Sequence, residues 1–241
     1  MTSERVGSFT LSHVADLWKD STRREFMRVA CLGGTAVLLP SMFAGCSDDD
    51  DGGITGPPSN EVVIDLDTDT GVLNYAYALE QLEAAFYSQV VSGFATSGLS
   101  AAEQTVLTDI RNHEVIHRDF LAQVLAGAKI PNLAVNFSSV NFRDRVSILQ
   151  TAKAFEDVGV SAYNGAGKLL KDLNNLGVAG KIVSVEARHA AVIRDFLKPG
   201  SRDFAGDDVI DPASGLDLAY DPGQVLEGTA HFVTTPIRLV S

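Results

Sequence analysis

Two short segments of the chain carry the same residue types at the same spacing: Glu114-Val115-Ile116-His117 and Glu186-Ala187-Arg188-His189. On an α-helix, residues three apart share a face, so each segment presents a carboxylate and an imidazole side by side. A single Glu-x-x-His usually marks only a solvated helix face. Composition predicts roughly 0.16 such pairs here, so finding two points to chemistry. Two single glutamates, Glu80 and Glu156, lie 34 and 30 residues before the paired segments. Four carboxylates and two imidazoles projecting into a helical core form the ligand set of a dinuclear metal centre, with glutamates bridging or chelating and each histidine completing one metal's coordination.

Internal symmetry supports the choice. Tyr87 follows Glu80 by seven residues and Tyr163 follows Glu156 by seven, two helical turns along the same stripe. The halves repeat as Glu-x6-Tyr followed by Glu-x-x-His, as a helix-hairpin duplication would produce. Symmetry selects Glu80 over Glu83, because the position matching Glu83 is Gly159. Glu83 then reads as a carboxylate at the rim or behind the ligands. A buried phenol needs a partner, so Tyr87 and Tyr163 are expected to hydrogen-bond ligand carboxylates. His113 points about 100° away from Glu114 on the helix, and His231 lies in the tail; both read as surface or packing residues. There is no Gly-x-Ser-x-Gly elbow and no Walker or dinucleotide glycine motif. Gly165-Ala166-Gly167 reads as a helix in close contact with a neighbour.

These residues must be positioned by helices. Apolar periodicity predicts four: Gly71 to Phe94, Ser100 to Ala126 opening with a Ser100/Glu103 capping box, Asn141 to Asn174, and Val178 to Lys198 ended by Pro199-Gly200. The first and second are joined by a short turn, as are the third and fourth through Asn175 to Gly177. Between the second and third lie thirteen residues, Ala128 to Val140, whose extended reach of about 43 Å exceeds the roughly 38 Å of a 25-residue helix. That link can cross the length of a bundle. No alternating run suggests a sheet. Asp221-Pro222 predicts a short helix in an otherwise loop-like tail from 201 to 241.

The first 45 residues read as an export signal. Thr22-Arg23-Arg24-Glu25-Phe26 precedes an apolar run from Val29 to Leu39, too short for the roughly 20 residues of a membrane span. The run and the arginine pair Arg23-Arg24 resemble a twin-arginine (Tat) signal. Phe43-Ala44-Gly45-Cys46 resembles a lipobox, with Cys46 as the lipidated first residue. Phe43 stands where Leu is usual, so cleavage nearby by an ordinary signal peptidase, leaving Cys46 a plain thiol, is the alternative. Cys31 lies inside the leader, so no disulfide is available to the remaining chain. Residues 46–64, acidic and then rich in Gly and Pro, read as a flexible tether, leaving 65–200 for the bundle. The net charge of -12 and the lack of a basic stripe after the leader exclude a nucleic-acid partner.

At these positions the chain resembles the ferritin-like superfamily, and within it the secreted branch that includes plant desiccation-related proteins. The likeness is carried by Leu73-Asn74-Tyr75-Ala76, Leu79-Glu80-Gln81-Leu82-Glu83-Ala84-Ala85-Phe86-Tyr87, His113 to Phe120, Phe155 to Tyr163 and Glu186 to His189. It implies an all-α, ferritin-like four-helix bundle with the long crossover between helices 2 and 3, plus an irregular C-terminal extension. It implies Glu80, Glu114, His117, Glu156, Glu186 and His189 as ligands of two Fe or two Mn ions, with small oxygen species or metal ions as substrate. Redox chemistry on peroxide or O2, or Fe(II) oxidation, in a periplasmic or envelope protein held to the membrane through Cys46 is the expected activity. The alternative is a non-catalytic, stress-associated lipoprotein whose metals staple the bundle. A homodimer is left open.

Overall fold

The computed structural model describes residues 61–241, all within one compact unit. The arginine pair Arg23-Arg24, Cys46 and the tether up to residue 60 lie outside the described residues. Four long helices form the body: α1 Asp69–Ser92, α2 Ala101–Leu125, α3 Arg145–Gly167 and α4 Leu173–Leu197. α1 packs chiefly on α2, and α3 on α4. This is the all-α ferritin-like bundle that the periodicity and the resemblance predict. None of these helices is long and apolar enough to cross a membrane.

Each helix start has a local cause. Thr68 caps α1 by accepting from the Gly71 N–H. Ser100 and Glu103 form the expected capping box at α2. Glu103 also receives two hydrogen bonds from Arg145, which opens α3 and bonds the Phe196 carbonyl near the end of α4. One end of the bundle thus joins the starts of α2 and α3 to the ends of α1 and α4. At the opposite end the Asp69 carboxylate, in the first turn of α1, accepts from the Lys171 and Asp172 N–H groups and from the Asn175 amide. It ties α1 to the α3–α4 turn.

α2 and α3 therefore run the same way, and only a link that travels the bundle can join them. The link does so along α1. Asn74 holds Ala128 O and Ile130 N–H, Gln81 two turns later holds the Leu133 N–H and Pro131 O, and Phe137 then packs on Phe86. Phe86, Tyr87, Phe137, Phe155, Ile148 and Ile193 fill the core at the arrival end.

The structure moves both ends of α3 and the start of α4. α3 starts at Arg145 rather than Asn141, because Asn141 accepts from the Arg143 N–H in a turn and Asp144 caps the helix. The α3–α4 connection is Lys168 to Asp172 rather than Asn175 to Gly177, since Asp172 caps α4. Gly177 and Gly180 sit inside α4 at exposed positions, where each costs about 1 kcal/mol against alanine. The structure also holds a two-stranded parallel sheet that the sequence reading lacks. β1, Val62–Asp65, lies partly in the segment read as tether and pairs with β2, Ile237–Val240. Its buried Val62 and Ile64 alternate with exposed residues over only four positions, too short a pattern to see in sequence.

The tail carries a short helix, α5 Pro222–Thr229, with Asp221 as cap. It lies over α3 at close quarters: the Tyr220 N–H donates to Ser161 O, and a Cβ at Gly165 would fall 1.8 Å from the Tyr220 carbonyl oxygen. That is the close neighbour the Gly165-Ala166-Gly167 run called for. Arg194, buried on α4, bonds both Asp157 of α3 and Asp208 of the tail and clamps the extension down.

Candidate metal centre

The bundle brings one carboxylate from each long helix to a single layer of the core. Glu80, Glu114, Glu156 and Glu186 are each 0% exposed, and His189 is buried beside them. The His117 side chain keeps 12% of its surface. Among the described residues these six fall into two four-residue groups whose ligand atoms lie within 4.8 Å of one another: Glu80, Glu114, His117 and Glu186, then Glu114, Glu156, Glu186 and His189. Glu114 and Glu186 belong to both. The spacing between the Glu-x-x-His pairs said nothing of this sharing, which depends on α2 lying against α4.

The contacts repeat across a pseudo-twofold. His117 Nδ1 lies 2.9 Å from Glu186 and 3.5 Å from both Glu80 and Glu114. His189 Nδ1 lies 2.9 Å from Glu114, 3.4 Å from Glu156 and 3.7 Å from Glu186. Despite these distances, both Nδ1 atoms, both oxygens of Glu114 and of Glu186, and Oε2 of Glu80 and Glu156 make no hydrogen bond of proper direction. Buried polar atoms are satisfied in more than nine cases in ten, so eight orphans in one layer call for an explanation. The atoms converge on shared points between them instead of aiming at each other, which is how ligands face a cation.

The tyrosines cross between the halves. The Tyr87 hydroxyl donates to Glu156 Oε1 and that of Tyr163 to Glu80 Oε1, each at 2.5 Å. Each phenol occupies one oxygen of its carboxylate and leaves Oε2 facing the histidine. Such a bond from behind orients a ligand and tunes its basicity.

Two neighbours break the symmetry. Glu83 is fully inside the core, not at its rim. A Cβ at Gly159 would come within 3.0 Å of Glu83 Oε1 and 3.8 Å of Glu186 Oε2, so the missing side chain of Gly159 is what makes room for the fifth carboxylate. His113 is a packing residue, as its place on α2 suggests, but the residue it packs on is a candidate ligand. Its Nδ1 lies 2.9 Å from His189 Nε2 and the rings stack with planes 7° apart. It backs the nitrogen of His189 that faces away from the glutamates. Spacing along α2 could not show this, because the partner is 76 positions away.

The charges crowded here shift one another. Burial pushes Glu83 and Glu114 well above the usual carboxylate range, reinforced by Glu186. Burial likewise raises Glu156, to about 7. Burial also acts upward on Glu186, but the facing imidazoles of His117 and His189 overcome it and hold that carboxyl at about 2. Burial acts to lower both imidazoles, yet the carboxylates facing them prevail; His189 is pushed up to about 12, with Glu156 the main cause, and His117 rises mainly through Glu80.

The sequence profile of the ferritin-like domain matches residues 68–199. The chain belongs to the ferritin-like family. No curated protein matches it. The matched span begins at the cap of α1 and ends just after α4, so the family domain is the four-helix body, with the sheet and α5 outside it. Within that ferritin-like body the buried glutamates and histidines form a group able to hold metal. The donor set fits: carboxylates and imidazoles suit Fe and Mn, and thiolates are absent.

Proposed function

We propose that this ferritin-like protein binds two divalent Fe or Mn ions and carries out redox chemistry on dioxygen or peroxide, or oxidises Fe(II), as part of envelope stress protection. The observation that supports this most directly is the pair of four-residue groups sharing Glu114 and Glu186, with orphaned donor atoms turned inward. Charge agrees: four ligating carboxylates balance two divalent cations with both imidazoles neutral. When bound, such a pair would supply one-electron steps to a small oxygen species.

The residues of the chain set the conditions. Glu114 and Glu186 fix the separation of the two positions. Tyr87 and Tyr163 lock the outer carboxylates so that one oxygen of each faces inward. His113 holds His189 by its outer nitrogen. Apolar side chains flank the layer, Phe86 and Phe155 on one side and Leu79 and Leu121 on the other, and Glu83, whose carboxyl burial pushes well above the usual carboxylate range, lies beside Glu186. The proposal includes Tat export and a lipid anchor at Cys46, which rest on the sequence; Cys46→Ala should move the protein from the membrane fraction to the soluble one.

Elemental analysis of protein purified without chelator, beside a Glu114→Ala plus Glu186→Ala variant, tests the centre. Two Fe or Mn per chain, lost in the variant, are expected, with O2 and peroxide consumption assays to follow. No bound transition metal after anaerobic reconstitution would defeat the proposal.

A further inference from the structure

The core next to the centre is not filled evenly. On the side of the α3–α4 turn, all four helices line a narrow apolar slot, with Tyr75, Leu79, Leu121, Ala162, Ala166 and Ile182 among its walls. It lies one helical turn from the ligand layer. Leu79 precedes Glu80, Leu121 is four residues beyond His117, Ile182 is four before Glu186, and Tyr163, which holds Glu80, is also in the wall. Half-buried Leu170, Gly167 and Val178 stand where the slot nears the surface at the turn.

Two observations say what can occupy it. Its volume, about 20 Å³, is close to the roughly 10–15 Å³ that a single water-sized sphere requires, so only a very small molecule enters. Of the side chains in its wall, only those of Tyr75 and Tyr163 are polar. The Tyr163 hydroxyl is committed to Glu80, while the Tyr75 hydroxyl, 1% exposed as a residue, bonds to nothing. A water molecule needs two to four polar partners, and hydrogen peroxide, with two donors and two acceptors, needs at least as many. An apolar diatomic needs none, and a lone phenol tolerates it as a weak acceptor.

We propose that this slot admits dioxygen and holds it against Tyr75 on the way to the glutamate–histidine centre, selecting O2 over peroxide. The proposal rests on the dimetal reading above and names the oxidant that this route supplies.

Dioxygen is paramagnetic and speeds the relaxation of nearby protons, so it reports its own position without any metal. NMR spectra of the metal-free protein under O2 pressure should show faster relaxation at the Leu79, Ala166 and Ile182 methyl groups than at exposed methyl groups, and Ala166→Leu should abolish it at Leu79 and Ile182. In Fe(II)-loaded protein followed by stopped flow, O2-driven oxidation should slow by roughly tenfold or more in that variant, with peroxide-driven oxidation nearly unchanged. Should Ala166→Leu fail to fold by circular dichroism, Gly167→Leu at the mouth decides, because a Cβ there meets only Leu176 Cδ1, at 3.7 Å. No O2-induced relaxation at the slot methyl groups, or equal slowing of both oxidants with Fe(II) still bound, overturns the slot proposal and leaves the metal site standing. An unmodified protein that binds no Fe(II) fails at a separate step, the binding isotherm; it defeats the dimetal reading and, with it, the slot's role as a delivery route.

Discussion

The two halves of the bundle agree wherever they touch the shared glutamates and differ just behind them. Glu80 with His117 mirrors Glu156 with His189, and Tyr163 and Tyr87 cross to brace the two outer carboxylates at equal distances. Behind this the mirror fails: Glu83 faces Gly159, and His113 backs His189 where the corresponding residue before Glu186 is Val185. The symmetric part is what the proposed pair of like cations would require. The asymmetric part makes the two sides of the layer chemically unequal, with a fifth carboxyl group beside Glu186 and an imidazole buttress on His189.

The sharpest way to break the comparison is to separate shared from private ligands. Glu114→Gln or Glu186→Gln should abolish binding of both metals, whereas Glu80→Gln or Glu156→Gln should leave about one ion per chain, read by elemental analysis. Equal stoichiometry in all four variants would refute the sharing.

Next in size is a dependence on pH. In the metal-free protein Glu156 titrates at about 7 and His189 at about 12, so the folded state holds protons that the unfolded chain releases. Their contributions are complete below the unfolded values of 4.5 and 6.5 and decline as pH rises through the folded ones. Glu186, held at about 2, acts in the opposite sense, contributing above 4.5 and losing this as pH falls toward 2. Bound metal has already displaced the protons. The difference in unfolding free energy between metal-loaded and metal-free protein should therefore widen from about pH 5 to about pH 8, by up to about 1.4 kcal/mol per pH unit for each proton displaced, and the gap in Tm should widen with it. Differential scanning fluorimetry would show a constant gap if the cluster does not exchange protons for metal.

The braces test symmetry and asymmetry together. Tyr87→Phe and Tyr163→Phe should each weaken metal binding by roughly 10- to 100-fold, to similar extents. His113→Ala should weaken only one of the two binding steps, by roughly tenfold, in calorimetric titration. A uniform loss over both steps would mean that His113 supports the fold rather than His189.

The smallest effect concerns the fifth carboxylate. Gly159→Ala removes a helix glycine, worth about 1 kcal/mol, but its methyl presses on Glu83 Oε1. The same substitution in a Glu83→Ala background should be more favourable by about 1 kcal/mol in denaturant unfolding. Strict additivity would show that the two positions do not meet.

Much of the centre was legible in the chain, because helical periodicity converts spacing directly into a shared face. Glu114 with His117 and Glu186 with His189 needed only the number three, and the tyrosines only the number seven. Helix ends were legible where a cap is a side chain, as at Ser100. They failed where turn-forming residues were misread, as at Asn141, where a turn precedes the helix, and at Gly177, which sits inside one.

The sequence by itself determined which residues can bind metal, that four helices carry them, and that a thirteen-residue link can let two helices run parallel. These follow from local geometry along one chain. Only the tertiary structure decided that Glu114 and Glu186 are shared, that Gly159 yields its space to Glu83, that His113 reaches His189, and that an apolar slot ends beside Glu80. Those relations depend on which helix faces lie against each other across the core, and no interval along the chain records that distance.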